Sequence, residues 1–145
     1  MNILVTLDSL HDSGAYLEKS FKLIQKLQGK QVLLLDVVDT AELETIEAVA
    51  ATFDEELVAS KKVALAASVR ELQGRYPALA ITGSIKTGNP KSCIVKAAKD
   101  SQADLVISGS HHYSNLEYLL YHGSVSAYLA KHLPCDLFII KNPAD

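Results

Sequence analysis

The residues best suited to bind an anion are glycines and serines in the last third of the chain. Gly109 and Ser110 follow an apolar run, and Gly123, Ser124 and Val125 stand just before a helical pattern. When a strand leads through a glycine-containing loop into a helix, free backbone N–H groups point at the loop and the helix dipole favours negative charge there. The pattern therefore predicts a phosphate-sized site at these five residues.

Asp8 is a second candidate, because with Leu7 it ends the first apolar run of the chain. Parallel α/β sheets bind ligands outside the carboxyl ends of their strands, so an aspartate there can contact a ligand. The same side chain can instead cap a turn or the next helix. Ser124 is ambiguous in the same way, since a serine caps a helix with or without a bound anion. Both interpretations stay open at each residue.

Three histidines and two cysteines could also carry chemistry. His11, His111 and His112 could converge on a metal, or on a phosphate when protonated. Adjacent side chains usually point apart, however, and no carboxylate or cysteine spacing completes a ligand set. Solvated loop histidines are the simplest interpretation, and no metal is predicted. Cys93 and Cys135 are expected to be small buried groups and not nucleophiles.

No catalytic motif is found in the sequence. It contains neither a Gly-x-Ser-x-Gly nucleophile turn nor a Gly-Lys-Ser/Thr phosphate loop. No lysine stands beside the glycines to offset the charge of a triphosphate. An enzyme is therefore not predicted from the motifs.

The composition is that of an ordinary globular protein. The chain has 145 residues, of which 48% are apolar and 21% charged, and a net charge of −3. This length predicts one domain over residues 1–145. Neither a nucleic-acid nor a membrane partner is expected, because the charge is negative and no apolar run could span a bilayer. A strand pattern at the N-terminus without a basic, apolar leader favours the cytoplasm.

The elements that must position the candidate residues alternate along the chain. Apolar runs predict strands at residues 3–7, 31–38, 79–85, 103–108 and 137–140. Periodic patterns predict helices after Asp12 or Ser13, over 40–76, from Pro90, and over 124–131. Gly29 is expected to end the first helix in the left-handed conformation, and Asn89 to cap the third.

This alternation predicts an α/β domain with an open parallel sheet and helices on both faces. Such sheets bind ligands where the winding reverses. If the reversal falls between the first and fourth strands, the segments after Leu7 and Gly109 meet in one crevice.

Several motifs, taken in order, resemble the universal stress protein family over the whole chain. No single motif is specific, but the ordered set is. The motifs are ILVTLDSLHDS, Val37-Val38-Asp39, Gly88-Asn89-Pro90, Ala103-Asp104-Leu105-Val106, Gly123-Ser124-Val125 and His132-Leu133-Pro134-Cys135.

The resemblance implies a five-stranded sheet of order 3-2-1-4-5, similar to adenine nucleotide alpha hydrolases and Rossmann-like folds. In the ATP-binding branch of the family, Leu7, Asp8 and Val38 would lie beside adenine and ribose. The phosphates would be held by Gly109, Ser110, Gly123, Ser124 and Val125.

The sequence departs from the ATP-binding pattern at two points of the loop. His112 stands where that pattern has a second glycine, and thirteen residues separate Gly109 from Gly123, one more than in the pattern. A Cβ blocks close approach of the backbone to phosphate, so these changes resemble the branch that does not bind ATP.

Three functions follow as hypotheses from the resemblance. The first is a cytoplasmic stress-response regulator that binds ATP or another adenine nucleotide. The second is a nucleotide-free module that recognises other proteins. The third is a slow ATPase in which His111 and His112 assist. The family also implies a homodimer paired through the last strand, at Leu137, Phe138, Ile139 and Ile140, whose apolar edge needs a cover.

Overall fold

The computed structural model describes residues 1–7, 14–39, 50–109 and 125–141. Strands in these ranges are β1 (Asn2–Leu7), β2 (Gln31–Asp39), β3 (Ala80–Gly88), β4 (Leu105–Gly109) and β5 (Asp136–Ile140). Helices in the same ranges are α1 (Gly14–Lys26), α2 (Ala50–Arg75), α3 (Pro90–Asp100) and α4 (Val125–His132). None of these helices is both long and apolar enough to cross a membrane.

The strands form one parallel sheet in the order β3-β2-β1-β4-β5, which confirms the predicted fold. The winding reverses between β1 and β4, because β2 and β3 lie to one side of β1 while β4 and β5 lie to the other. The strands at the centre read as continuous apolar runs because helices cover both of their faces.

Each face of the sheet carries its own hydrophobic core. On one face α1 and α2 pack over the strands, through buried residues that include Phe21, Ile24, Leu65, Leu72, Ile3, Val5, Leu34 and Ile107. On the other face α3 and α4 pack through residues that include Ile94, Ala98, Val125, Leu129, Leu4, Leu35 and Val106. The rings of Phe21 and Tyr76 stack with centroids 4.9 Å apart and join α1 to the end of α2.

The end of α1 differs from the prediction. Gln28 and not Gly29 takes the left-handed conformation, with φ of 56°. The Gly29 N–H donates to the Ile24 carbonyl at 2.9 Å, which completes a hydrogen-bonded helix stop. Glycine is needed at position 29 for space, since a Cβ there would lie 2.8 Å from both Ile24 and Ile3. Leu27 follows Ile24 at a spacing of three residues, which predicts a buried position, but it is 40% exposed because the helix has already ended at Lys26.

The start of α3 follows the prediction. The Asn89 side chain accepts a hydrogen bond from the Lys91 N–H at 2.9 Å, and Pro90 stands in the first turn. Gly88, just before the cap, has φ of 149°, a conformation that favours glycine.

Several element boundaries differ from the prediction, and β4 spans Leu105–Gly109 where the prediction had 103–108. β3 runs to Gly88 and not to residue 85, because each of its added residues pairs with β2, which itself continues to Asp39. In the predicted helix over 40–76, residues 40–49 lie outside the described part of the chain. From Ala50 the helix runs without a break to Arg75.

Candidate functional site

The crevice predicted from the topology lies between the carboxyl ends of β1 and β4. Paired residues of these strands end at Val5 and Ile107. Both strands then continue for two more residues, to Leu7 and Gly109. The segments that follow the two strands therefore leave the sheet side by side, as expected at a reversal of the winding.

Two hydroxyl groups join the strand ends on the face covered by α3 and α4. Thr6 Oγ1 donates to Ser108 Oγ at 3.3 Å, and Ser108 Oγ donates to the Gly109 carbonyl at 3.4 Å. Thr6 is 8% exposed and Ser108 only 1%. A buried hydroxyl needs a partner, so this pair gives the base of the crevice a satisfied polar lining.

A tyrosine joins the same strand ends on the opposite face. The hydroxyl of Tyr16, in the first turn of α1, lies 2.7 Å from the Thr6 carbonyl and 3.1 Å from the Ile107 carbonyl, and donates its proton between them. The ring lies over Gly109, where a Cβ would be 3.5 Å from the Tyr16 Cε2 atom. Tyr16 therefore forms a wall of the crevice.

The fold does not require glycine at position 109. Its φ is not in the left-handed region, which among the glycines of the described ranges is occupied only by Gly88. The nearest atom to a Cβ at Gly109 is at 3.5 Å, an ordinary van der Waals contact. The predicted site glycine is thus not explained by backbone strain or by packing.

The end of β2, which carries the predicted site residue Val38, lies beside the end of β1. Val38 is 2% exposed and the following Asp39 is 7% exposed. Two residues before Val38, Asp36 pairs in register with Leu7. Asp36 Oδ1 also lies 3.9 Å from the Nζ of Lys61 on α2, so a cation approaches this end of the sheet from the helix layer.

Val125 begins α4, as a phosphate-binding helix start requires, but its side chain is buried in the core at 3% exposed. Only its backbone N–H can serve a ligand, since the first four N–H groups of a helix have no partner within the helix. Of the predicted site residues, the described ranges contain Leu7, Val38, Gly109 and Val125.

Several predicted residues lie outside the described ranges. They are the site residues Asp8, Ser110, Gly123 and Ser124, and the histidines His11, His111 and His112. Within the described ranges, no three His, Cys, Asp or Glu side chains come close enough to hold a metal ion.

The two cysteines are half-buried free thiols. Burial raises the pKa of the Cys93 thiol, with the charge of Asp39 adding to the effect and those of Lys86 and Lys96 opposing it. Burial likewise raises the pKa of the Cys135 thiol, and the neighbouring Asp136 and Asp104 carboxylates add to it. Both thiols are thereby kept protonated, which is unfavourable for a nucleophile.

A separate groove of about 750 Å³ lies between α2 and β3, lined partly by Leu65, Val69 and Ile85, with Lys62 and Arg70 at its rim. β3 is separated from β4 by two strands, so this groove is not part of the crevice.

Sequence reasoning did not identify Tyr16, Thr6 or Ser108 as crevice residues. Tyr16 directly precedes Leu17 in the apolar stripe of α1, and so resembles a core residue. Thr6 and Ser108 could have been identified from the sequence. Each is a polar residue one position before the end of an otherwise apolar strand, and the two strands, β1 and β4, are neighbours in the predicted order.

Comparison with known proteins agrees with this fold. A family model described as the universal stress protein family matches residues 1–141. A relative from Staphylococcus epidermidis, named as a universal stress protein, is 28% identical over 149 residues, which cover 97% of this chain and 83% of the relative. The solved structure of UspA from Lactobacillus plantarum is 26% identical, with 96% of each chain covered and a TM-score of 0.73.

Two more distant structures share the fold and contain a nucleotide. One is a universal stress protein in complex with cAMP, 20% identical with a TM-score of 0.61, covering 97% of this chain and 95% of that one. The other is an Arabidopsis thaliana family protein with AMP bound, 18% identical with a TM-score of 0.62, covering 99% of this chain and 93% of that one. Since the family model spans nearly the whole sequence, the chain belongs to the universal stress protein family.

Proposed function

We propose that this protein binds an adenine nucleotide in the crevice between the carboxyl ends of β1 and β4. Leu7 and Val38 would lie beside the base and ribose, and Gly109 with the Val125 N–H beside the phosphates. Asp8, Ser110, Gly123 and Ser124, which lie within two residues of these in sequence, would complete the site.

Gly109 is the observation that carries the proposal. A glycine that neither backbone conformation nor packing requires stands at the point where β4 ends beside β1. Absence of a Cβ is useful to a ligand whose phosphate must approach the backbone closely. Relatives of the same fold that hold cAMP and AMP support an adenine nucleotide as the ligand.

The proposed role is regulation by binding, without turnover. A bound nucleotide would stabilise one arrangement of the segments that leave β1 and β4, and so change the surface offered to other proteins. A slow ATPase is the third hypothesis, and it depends on His111 and His112. The cytoplasmic location stays a prediction.

The experiment is calorimetric titration of the purified protein with ATP, AMP and cAMP, together with mass spectrometry under non-denaturing conditions. We expect binding of at least one of them with a Kd of about 1 mM or tighter, equivalent to about −4 kcal/mol. No heat of binding to any of the three at millimolar concentration would overturn the proposal and the ATPase hypothesis together.

A second candidate function, a dimeric protein-interaction module, rests on the exposed edge of β5. Phe138 is 45% exposed and Ile139 is 41% exposed, and they lie on opposite faces of the outermost strand. An exposed apolar edge strand needs a partner, and a second copy of the same strand would supply one. Phe138 and Ile139 lie on β5 and the proposed nucleotide site lies between β1 and β4, so the two functions do not exclude each other.

A further inference from the structure

Tyr16 bridges the two strands at the point where their backbone pairing has ended. The last paired residues are Val5 and Ile107. Immediately beyond them the Tyr16 hydroxyl lies 2.7 Å from the Thr6 carbonyl and 3.1 Å from the Ile107 carbonyl. The phenol therefore supplies a donor in the gap where the strands no longer pair.

The gap is bridged on both faces of the sheet. Tyr16 lies on the side of α1, and the Thr6–Ser108 hydroxyl contact, 3.3 Å long and buried, lies on the other side. A ligand that enters between the strand ends meets a gap whose width depends on these two contacts.

The ring of Tyr16 also limits the space beside Gly109. Its Cε2 and Cδ2 atoms lie 3.5 and 3.7 Å from the position of a Cβ on Gly109. The ring therefore bounds the α1 side of Gly109 and leaves room there for about one atom, either a Cβ or an atom of a ligand.

We propose that Tyr16 is a positioning residue for the nucleotide: its hydroxyl fixes the separation of the β1 and β4 ends, and its ring confines the ligand beside Gly109. This inference rests on the proposed function, since it assigns a role within the same crevice. Tyr16 does not act as a catalytic group, because it touches the backbone that forms the site.

The test compares Tyr16→Phe with Tyr76→Phe in titrations with AMP and ATP. Tyr16→Phe keeps the ring and removes the donor shared by two carbonyls, so we expect nucleotide affinity to fall about fivefold. Tyr76 packs against the same core but stacks on Phe21 at the end of α2. Tyr76→Phe should therefore leave the affinity unchanged.

A second measurement separates positioning from a merely structural role. The chain has 6 tyrosines and no tryptophan, so ring-carbon-labelled tyrosine gives few NMR signals. The Tyr16 signal, identified by its loss in Tyr16→Phe, should shift when AMP is added to the unmutated protein, and the Tyr76 signal should not. This readout stays usable even if Tyr16→Phe lowers stability.

The possible outcomes are distinct. Weaker binding by Tyr16→Phe together with a shifted Tyr16 signal supports the inference. If the unmutated protein binds nucleotide but Tyr16→Phe binds it equally well, this inference is overturned and the proposed function stands. The same conclusion follows if the unmutated protein binds nucleotide and its Tyr16 signal does not shift. Absence of any binding to the unmutated protein overturns both.

Discussion

Thr6 and Ser108 are 102 residues apart in sequence, yet their side-chain oxygens lie 3.3 Å apart in the interior. The contact exists because the chain crosses over after β3 and inserts β4 beside β1. It marks the reversal of the winding, the place where open α/β sheets bind their ligands. A polar contact at this point is unexpected for a strand core and belongs to the lining of the crevice.

Replacing Gly109 with alanine should weaken nucleotide binding without harming the fold. The added Cβ makes only an ordinary contact with Tyr16 at 3.5 Å, so the free energy of unfolding should change by less than about 0.5 kcal/mol. The same methyl group would block a phosphate, and we expect affinity to fall about tenfold. Titration calorimetry and urea unfolding measure the two effects.

Gly74→Ala is the matched control for Gly109→Ala, because no atom lies within 4 Å of a Cβ at Gly74. It should raise stability, since alanine is the better helix former, and leave nucleotide affinity unchanged. Equal affinity in Gly109→Ala and the unmutated protein would show that the glycine does not serve a ligand.

The fold could be predicted from the sequence because its signals are local and repeated. Apolar runs locate the central strands β1, β2 and β4, since parallel strands covered on both faces contain few polar residues. The edge strand β3 gives a weaker signal, and its end was less predictable. It continues beyond residue 85 through Lys86 and Thr87, because both pair with β2.

The candidate site was only partly predictable, for a different reason. Leu7 and Gly109 could be placed at strand ends by topology, and Val125 at a helix start. The role of Tyr16 depends on how α1 crosses the sheet, and no spacing in the sequence encodes that angle. Sequence also could not show that the Val125 side chain is buried in the core, which leaves only its backbone available to a ligand.

The contact between Lys61 and Asp36 should contribute to stability. Their side chains are only 16% and 12% exposed, and a buried carboxylate that loses a nearby cation is destabilised. At 3.9 Å the pair is loose, so we expect Lys61→Met to lower the free energy of unfolding by about 1–3 kcal/mol. Urea unfolding of the variant at neutral pH measures the change.

The exposed pair Lys96–Asp100 serves as the comparison for Lys61→Met. Its side chains are 78% and 68% exposed, so solvent screens their attraction. Lys96→Met should therefore change stability by less than about 0.5 kcal/mol. If the two methionine variants lose equal stability, burial of the Lys61–Asp36 pair has no energetic consequence.

Gly83→Ala should destabilise the protein, in contrast to Gly109→Ala. A Cβ at Gly83 would lie 2.9 Å from Leu65 Cγ and 3.0 Å from Val69 Cγ2, so these side chains would have to shift. Overpacking of this kind costs about 1–3 kcal/mol. A thermal midpoint for Gly83→Ala equal to that of Gly109→Ala would contradict the close approach of α2 to β3.

The native thiols should react slowly with iodoacetamide. Burial raises the pKa of both Cys93 and Cys135, so less thiolate is present at a given pH, and thiolate is the reactive form. At pH 8 we therefore expect alkylation to be slower in the native protein than in urea, where the thiols are exposed. Peptide mass spectrometry distinguishes the two sites, and equal native and denatured rates would exclude the effect.

Phe138→Lys should shift the protein from dimer to monomer. Phe138 is 45% exposed on the outermost strand, and a lysine there would place like charges together across a two-fold interface. Val63→Lys is the control, because Val63 is 73% exposed on α2, away from that strand. Light scattering should report a monomer for Phe138→Lys and a dimer for Val63→Lys. A dimer that persists in Phe138→Lys would mean that β5 does not form the interface.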